Sequence, residues 1–236
     1  MPQQLGIPMF RTKVVLACAF VTLLALVAAP AWADGVPVTN ATFETFNPLT
    51  LSDSGGIFNA WGIPGWTTTG GTATGSWQPN STSFSSPLPS CCTVGYTNGG
   101  SISQILSATV LPDTFYTLSV FVGNRLQGFT GNYTIALWAG NTALCSFSGN
   151  SASITAGTFA DETCTYQSGS VVPLGDLSIV LSSNGQPGVV SQLDVDNVSL
   201  TTGVSTPEPG SLALTALGLL CVIFAFRRKQ ATALSA

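Results

Sequence analysis

The sequence predicts an all-β body, a jelly-roll β-sandwich, and three observations carry that prediction. Apolar and polar residues alternate with period 2, most clearly in FYTLSVFV (115–122), where Tyr116, Leu118, Val120 and Val122 alternate with Phe115, Thr117, Ser119 and Phe121. Such alternation, rich in β-branched and aromatic side chains, marks a half-buried strand. Further strand-like runs at 101–106, 132–140, 158–166, 177–183 and 193–200 are separated by Gly, Pro, Asn and Ser, and no window of the body carries a helical period. Many short strands divided by turn residues specify a sandwich or barrel.

Taken in order, residues 1–33 of the 236 read as a secretory signal peptide. Arg11 and Lys13 precede the apolar run 14–29, and Ala31-Trp32-Ala33 supplies small residues for cleavage after Ala33. The sandwich is expected over 34–203. Its segment 49–93 is less regular, rich in Gly, Ser, Thr and Pro, and carries Trp61, Trp66, Trp77 and Phe84. Long loops packing their own rings are expected there, and loops on a rigid sandwich are where binding sites tend to lie.

Charge excludes one class of partner. Nine of the ten acidic residues and one basic residue, Arg125, lie between 34 and 206. Affinity for nucleic acid rests on Lys and Arg neutralising phosphates, so a nucleic-acid partner is excluded. The chain has no His, which removes a Ser-His-Asp triad, a Cys-His pair and a His-liganded catalytic zinc. Glycoside hydrolysis needs only two facing carboxyls, yet no pair here carries a motif. Asp161 and Glu162 are strand neighbours and point to opposite faces. The body is therefore expected to be non-catalytic.

The remaining candidates are aromatic and sulfur-bearing. Trp61, Trp77, Tyr96 and Asn98 are the candidate sugar-binding residues, rings to stack on pyranose faces and an amide to bond hydroxyls. Trp66 and Trp138 read as packing residues. Four body cysteines in an exported chain suggest two disulfides. Cys145 and Cys164 lie in adjacent strand-like segments and are the favoured pair. Cys91 and Cys92 are then either a vicinal disulfide or two free thiols.

NATFETF (40–46), IPGW (63–66), GGSISQIL, TFYTLSVFVGNR and LDVDNVSLT (193–201) together resemble the galactose-binding-like jelly rolls shared by many carbohydrate-binding modules. The resemblance implies a structural calcium ion held by Glu44 and either Asp194 or Asp196 with backbone carbonyls. Carboxylates plus carbonyl oxygens suit a hard cation. No other cofactor is expected.

The C-terminus carries the most specific motif. Pro207-Glu208-Pro209 is followed by sixteen uncharged residues, 211–226, and then by Arg227-Arg228-Lys229. The span is about 24 Å long as a helix, a little short of a hydrocarbon core, and the basic cluster marks its cytoplasmic end. Residues 231–236 form a short cytoplasmic tail. The order of motif, span and basic stop over 204–230 closely resembles the PEP-CTERM sorting signal of Gram-negative bacteria. Pro207, Glu208, Pro209, Arg227 and Arg228 are the matching positions. That resemblance implies an exosortase as processing partner and export through the inner membrane. The chain would be a transient single-pass membrane protein before reaching the cell surface or extracellular matrix, often among bacteria that make exopolysaccharide and biofilm. An exported matrix protein is the expected function, with a carbohydrate-binding adhesin as the alternative and a glycoside hydrolase third.

Overall fold

The computed structural model describes residues 34–46, 51–53, 56–60, 62–70, 73–184, 191–204 and 218. The signal peptide, Trp61 and the sorting tail, with Pro207, Glu208, Pro209, Arg227 and Arg228, lie outside the described residues. Among the described residues no helix is long and apolar enough to cross a membrane.

The body, a compact unit over Ala33–Ser205, is an all-β sandwich of two sheets. Its strands are β1 (Asp34–Val36), β2 (Leu51–Asp53), β3 (Gly56–Asn59), β4 (Thr67–Thr68), β5 (Thr74–Pro79), β6 (Val94–Asn98) and β7 (Ser101–Thr109). They continue with β8 (Thr114–Asn124), β9 (Asn132–Ala139), β10 (Thr142–Asn150), β11 (Thr158–Gln167), β12 (Asp176–Ser183) and β13 (Gln192–Val204). The larger sheet runs β11-β8-β13-β6-β5-β3-β2, with β1 added against β13, and the smaller runs β10-β9-β12-β7-β4.

The alternation read from the sequence is what closes the sandwich. Leu118, Val120 and Val122 of β8 and Leu193 and Val195 of β13 point inward. They meet Ile135 and Leu137 of β9 and Leu177, Ile179 and Leu181 of β12. Each of these side chains is at most 1 % exposed, and burial of one such residue stabilises by roughly 1.5–3 kcal/mol. The Cys145–Cys164 disulfide joins β10 of the small sheet to β11 of the large one. Closing a loop of this size is worth about 3 kcal/mol.

The 49–93 segment departs from expectation, because it contributes β2 to β5 rather than loops alone. Thr74–Trp77 of β5 and Val94–Thr97 of β6 are buried on both faces, so no period-2 pattern marks them. Their outer face holds a second apolar cluster, Trp77, Phe84, Val94 and Tyr96.

Candidate functional site

Because Leu193 and Val195 face the core, Asp194 points the other way, onto the outer face of the large sheet. Strand register then places it in one row with Gly75 of β5, Tyr96 of β6, Gly123 of β8 and Phe159 of β11. Gly123 is required in that row. A Cβ there would come within 2.8 Å of the Phe159 ring and 3.1 Å of the Phe84 ring. Its absence lets both rings close down beside the acid, their centroids 4.6 Å apart, and Phe84 also packs on Trp77 at 5.9 Å.

Phe84 belongs to the 80–92 loop, which is tied across this face. Ser85 and Ser86 N–H groups donate to the Gly157 carbonyl at 2.9 and 3.2 Å, and Leu126 N–H donates to the Ser83 carbonyl at 2.9 Å. The consequence is that Asp194 is only 1 % exposed. Gln192 Nε2 donates to Asp194 Oδ1, and Arg125 Nη1 donates to Gln192 Oε1 at 2.7 Å. The Arg125 guanidinium stacks over Trp77 at 4.0 Å and Phe129 at 4.7 Å. Asp194 Oδ2 is buried and accepts no hydrogen bond from the described residues.

An ionised carboxylate with an unpaired buried oxygen is costly, so burial favours the protonated form. Burial pushes the Asp194 pKa up to about 7, against the opposing pull of the Arg125 charge and the Gln192 hydrogen bond. Asp196 is raised to about 6, again chiefly by burial, despite donation from Ser90 and Asn197. Between pH 4 and 7 the folded protein therefore binds more protons than the unfolded chain, and its stability falls as pH rises through that window. Thermal unfolding is expected at a higher temperature at pH 5 than at pH 8, with a shallower slope in Asp194→Asn. A Tm independent of pH, in differential scanning calorimetry, would contradict the burial argument.

A second constellation lies further along β13. The register with β8 slips between Asp196 and Ser199, and Asn197 takes a left-handed φ of 46° there, a conformation Asn tolerates. Asn197 N–H donates to Asp196 Oδ1 at 2.7 Å. Opposite, the turn that begins at Asn40 ends at Phe43, whose φ is 58° and whose ring stacks on Trp66 at 5.4 Å. That packing aims Thr42 and Glu44 at Ser90. The Ser90 hydroxyl has Asp196 Oδ1 and Oδ2 at 2.8 Å, Glu44 Oε1 at 3.1 Å and the Thr42 carbonyl at 3.5 Å. Cys92 and Thr93 N–H groups also donate to Glu44 Oε1. One hydroxyl proton serves only one of these acceptors.

The structure thus brings Glu44 and Asp196 together and leaves Asp194 out of that group. Trp77 and Tyr96 are buried at 3 % and 6 % exposure under the 80–92 loop, and Trp77 turns a face to Arg125. Asn98 pairs with Gln192 across β6 and β13, and its Oδ1 finds no partner among the described residues. Cys91 and Cys92 form a vicinal disulfide. Asp161 and Glu162 do point apart, Asp161 accepting from Ser119 and Glu162 from the Tyr133 hydroxyl. The special environment of Asp194 was not legible in the sequence, because its covering residues come from β5, β11 and the 80–92 loop.

Comparison with known proteins changes the reading of the body. Residues 34–201 match the HpiC1-like family model, described as HpiC1 cyclase. Residues 205–229 match the PEP-CTERM protein-sorting motif, which directs export and sorting to the cell surface with an exosortase as processing partner. No curated protein matches the chain. Among solved structures, a Stig cyclase, Fisc from Fischerella sp. TAU, in complex with (3Z)-3-(1-methyl-2-pyrrolidinylidene)-3H-indole is 25% identical, with a TM-score of 0.58. The match covers 74% of this chain and 100% of that one. A cyclase from Fischerella sp. TAU is 28% identical over 74% of this chain and 100% of its own, at the same TM-score of 0.58. A complex of a cyclase from that source with 4-(1H-indol-3-yl)butan-2-one is 25% identical over 73% of this chain and 100% of its own. The expectation of a non-catalytic body is thereby corrected. Absence of His excluded triads and zinc sites, but one carboxyl kept protonated in an apolar enclosure is enough for acid catalysis.

Proposed function

The chain belongs to the HpiC1-like cyclase family, and on that premise we propose that its body is an acid-catalysing cyclase with Asp194 as proton donor. The observation that carries this reading is the buried, unpartnered Asp194 oxygen beneath Trp77, Phe84, Tyr96 and Phe159. The fitting substrate is a small neutral molecule that joins an electron-rich aromatic ring, such as indole, to an alkene. The Fisc complex and a further cyclase complex from Fischerella sp. TAU hold indole compounds, and the enclosure offers aromatic faces.

Asp194 gives its proton to one alkene carbon, and the π pair forms the new C–H bond. The adjacent carbon becomes a cation, which aromatic faces stabilise. Two π electrons of the substrate ring then form the new C–C bond. The ring carbon loses its proton to the Asp194 carboxylate, which restores both the ring and the acid. Substrate and product are isomers, so no oxidant, reductant or second substrate is consumed. Arg125, held over Trp77, bonds Gln192 and thereby fixes the amide that orients Asp194. Incubating the full chain with an alkenyl indole tests the proposal. The expected product has the same mass and a new retention time, whereas unchanged substrate would count against it.

A calcium ion fits the second constellation. Glu44, Asp196 and the Thr42 carbonyl converge on one hydroxyl that cannot satisfy them all, and these are hard oxygen donors. The ion would supply charge there and hold the base of the 80–92 loop, taking no part in the proton transfer. Calcium at a hundred times its Kd is expected to raise Tm by about 5–10 °C. Glu44→Gln should abolish that rise in a thermal-shift assay, and an equal rise in the variant would dismiss the site.

In the same proposal, the 211–226 span crosses the inner membrane transiently, the exosortase removes it, and the cyclase acts at the cell surface or in the surrounding matrix.

A further inference from the structure

Outside the aromatic cover of Asp194 lies an open groove of about 520 Å³, whose apolar walls are Phe84, Pro79, Pro87, Leu88 and the Cys91–Cys92 disulfide, with Gln78, Asn80 and three serines completing the lining. No charged side chain lines it. Phe84 belongs to both places. Its ring is 6 % exposed, forms a wall of the groove, and rests on Phe159, Trp77 and the bare Cα of Gly123, the cross-strand neighbour of Asp194. Of the four rings that enclose Asp194, Phe84 is the one that also lines the groove.

We propose that this groove is the substrate's vestibule and that Phe84 is the gate that determines which rings reach Asp194. The inference rests on the cyclase reading and names where its substrate waits. The occupant is a flat, neutral aromatic ring. Apolar walls favour its burial, the absence of charge disfavours ionic ligands, and the vicinal disulfide adds a polarisable sulfur face to the wall. Gln78, Asn80 and the serines of the lining supply oxygen acceptors for a ring N–H. Entry requires the Phe84 ring to swing away from Gly123, while the backbone hydrogen bonds of Ser83, Ser85 and Ser86 keep the loop in place. The gate thus moves by a side-chain rotation, and the 80–92 backbone stays fixed.

The test uses the full chain and a photoreactive indole bearing an aryl diazirine, with labelled peptides identified by mass spectrometry. In the wild type, labelling is expected on residues 78–92 and is competed away by unlabelled indole. Phe84→Ala should extend the label to residues 158–167 and 192–204, raising it there about tenfold, the scale on which one missing side chain opens a pocket. Leu88→Trp, a change in a half-buried wall, should cut groove labelling about tenfold and keeps the test open if Phe84→Ala does not fold. Label that cannot be competed, or that is unchanged in both variants, overturns the proposal. The two readings separate cleanly. Turnover that needs Asp194 without groove labelling sinks the vestibule alone. Groove labelling with turnover untouched by Asp194→Asn sinks the acid instead.

Discussion

Asp194→Asn is expected to lower cyclisation by about a hundred- to ten-thousandfold, the range that a positioned general acid contributes. The variant is nearly isosteric, and its amide oxygen still accepts from Gln192, so the β13 row keeps its packing. What it loses is the transferable proton. Binding of an indole ring should change little, because the rings that enclose the site, Trp77, Phe84, Tyr96 and Phe159, are untouched. The loss therefore falls on kcat rather than KM. In the wild type, turnover should decline as pH rises through about 7, where Asp194 gives up its proton. The variant's residual rate should be flat across that range. Steady-state kinetics at pH 5, 6, 7 and 8 reads both. A variant that keeps the wild-type kcat removes Asp194 from the chemistry.

Glu208→Ala is expected to leave the sorting tail attached, an all-or-none change in the mature mass. Glu208 is the only acid in the matched 205–229 motif and hence the one negative charge a processing enzyme can recognise there. Intact-mass analysis of protein from the native envelope should find a wild-type species beginning at Asp34 and ending near Pro207–Gly210. The Glu208→Ala species should run to Ala236. A variant trimmed like the wild type would show that recognition bypasses the carboxylate.

Much of the fold was legible because period-2 alternation is local. Tyr116, Leu118, Val120 and Val122 announce their buried face within eight residues, and Leu177, Ile179 and Leu181 do the same. The Cys145–Cys164 pair followed from two neighbouring strands. β5 and β6 were not legible, because strands covered on both faces lose alternation. The site was less legible still. Asp194 carried no mark beyond its place in LDVDNVSL, where the family resemblance offered calcium for it or for Asp196. Its special character is created by Phe84, Phe159, Tyr96 and Arg125, four residues that only the folded topology brings together. Trp77 and Tyr96 were read as sugar-stacking rings, and the fold buries both, because loops elsewhere in the chain decide whether a ring faces solvent. The absence of His was a sound exclusion of particular mechanisms and too weak to exclude catalysis, since a lone carboxyl needs only desolvation to become an acid at neutral pH.

The most direct test of the central claim is cyclisation of an alkenyl indole by the full chain in D₂O, read by mass spectrometry of the product. Proton donation from Asp194, which exchanges with solvent, predicts an isomeric cyclic product carrying one deuterium at the former alkene carbon, formed by the wild type and lost in Asp194→Asn. A product without carbon-bound deuterium, or no product from the wild type, would contradict acid-catalysed cyclisation as the work of this protein.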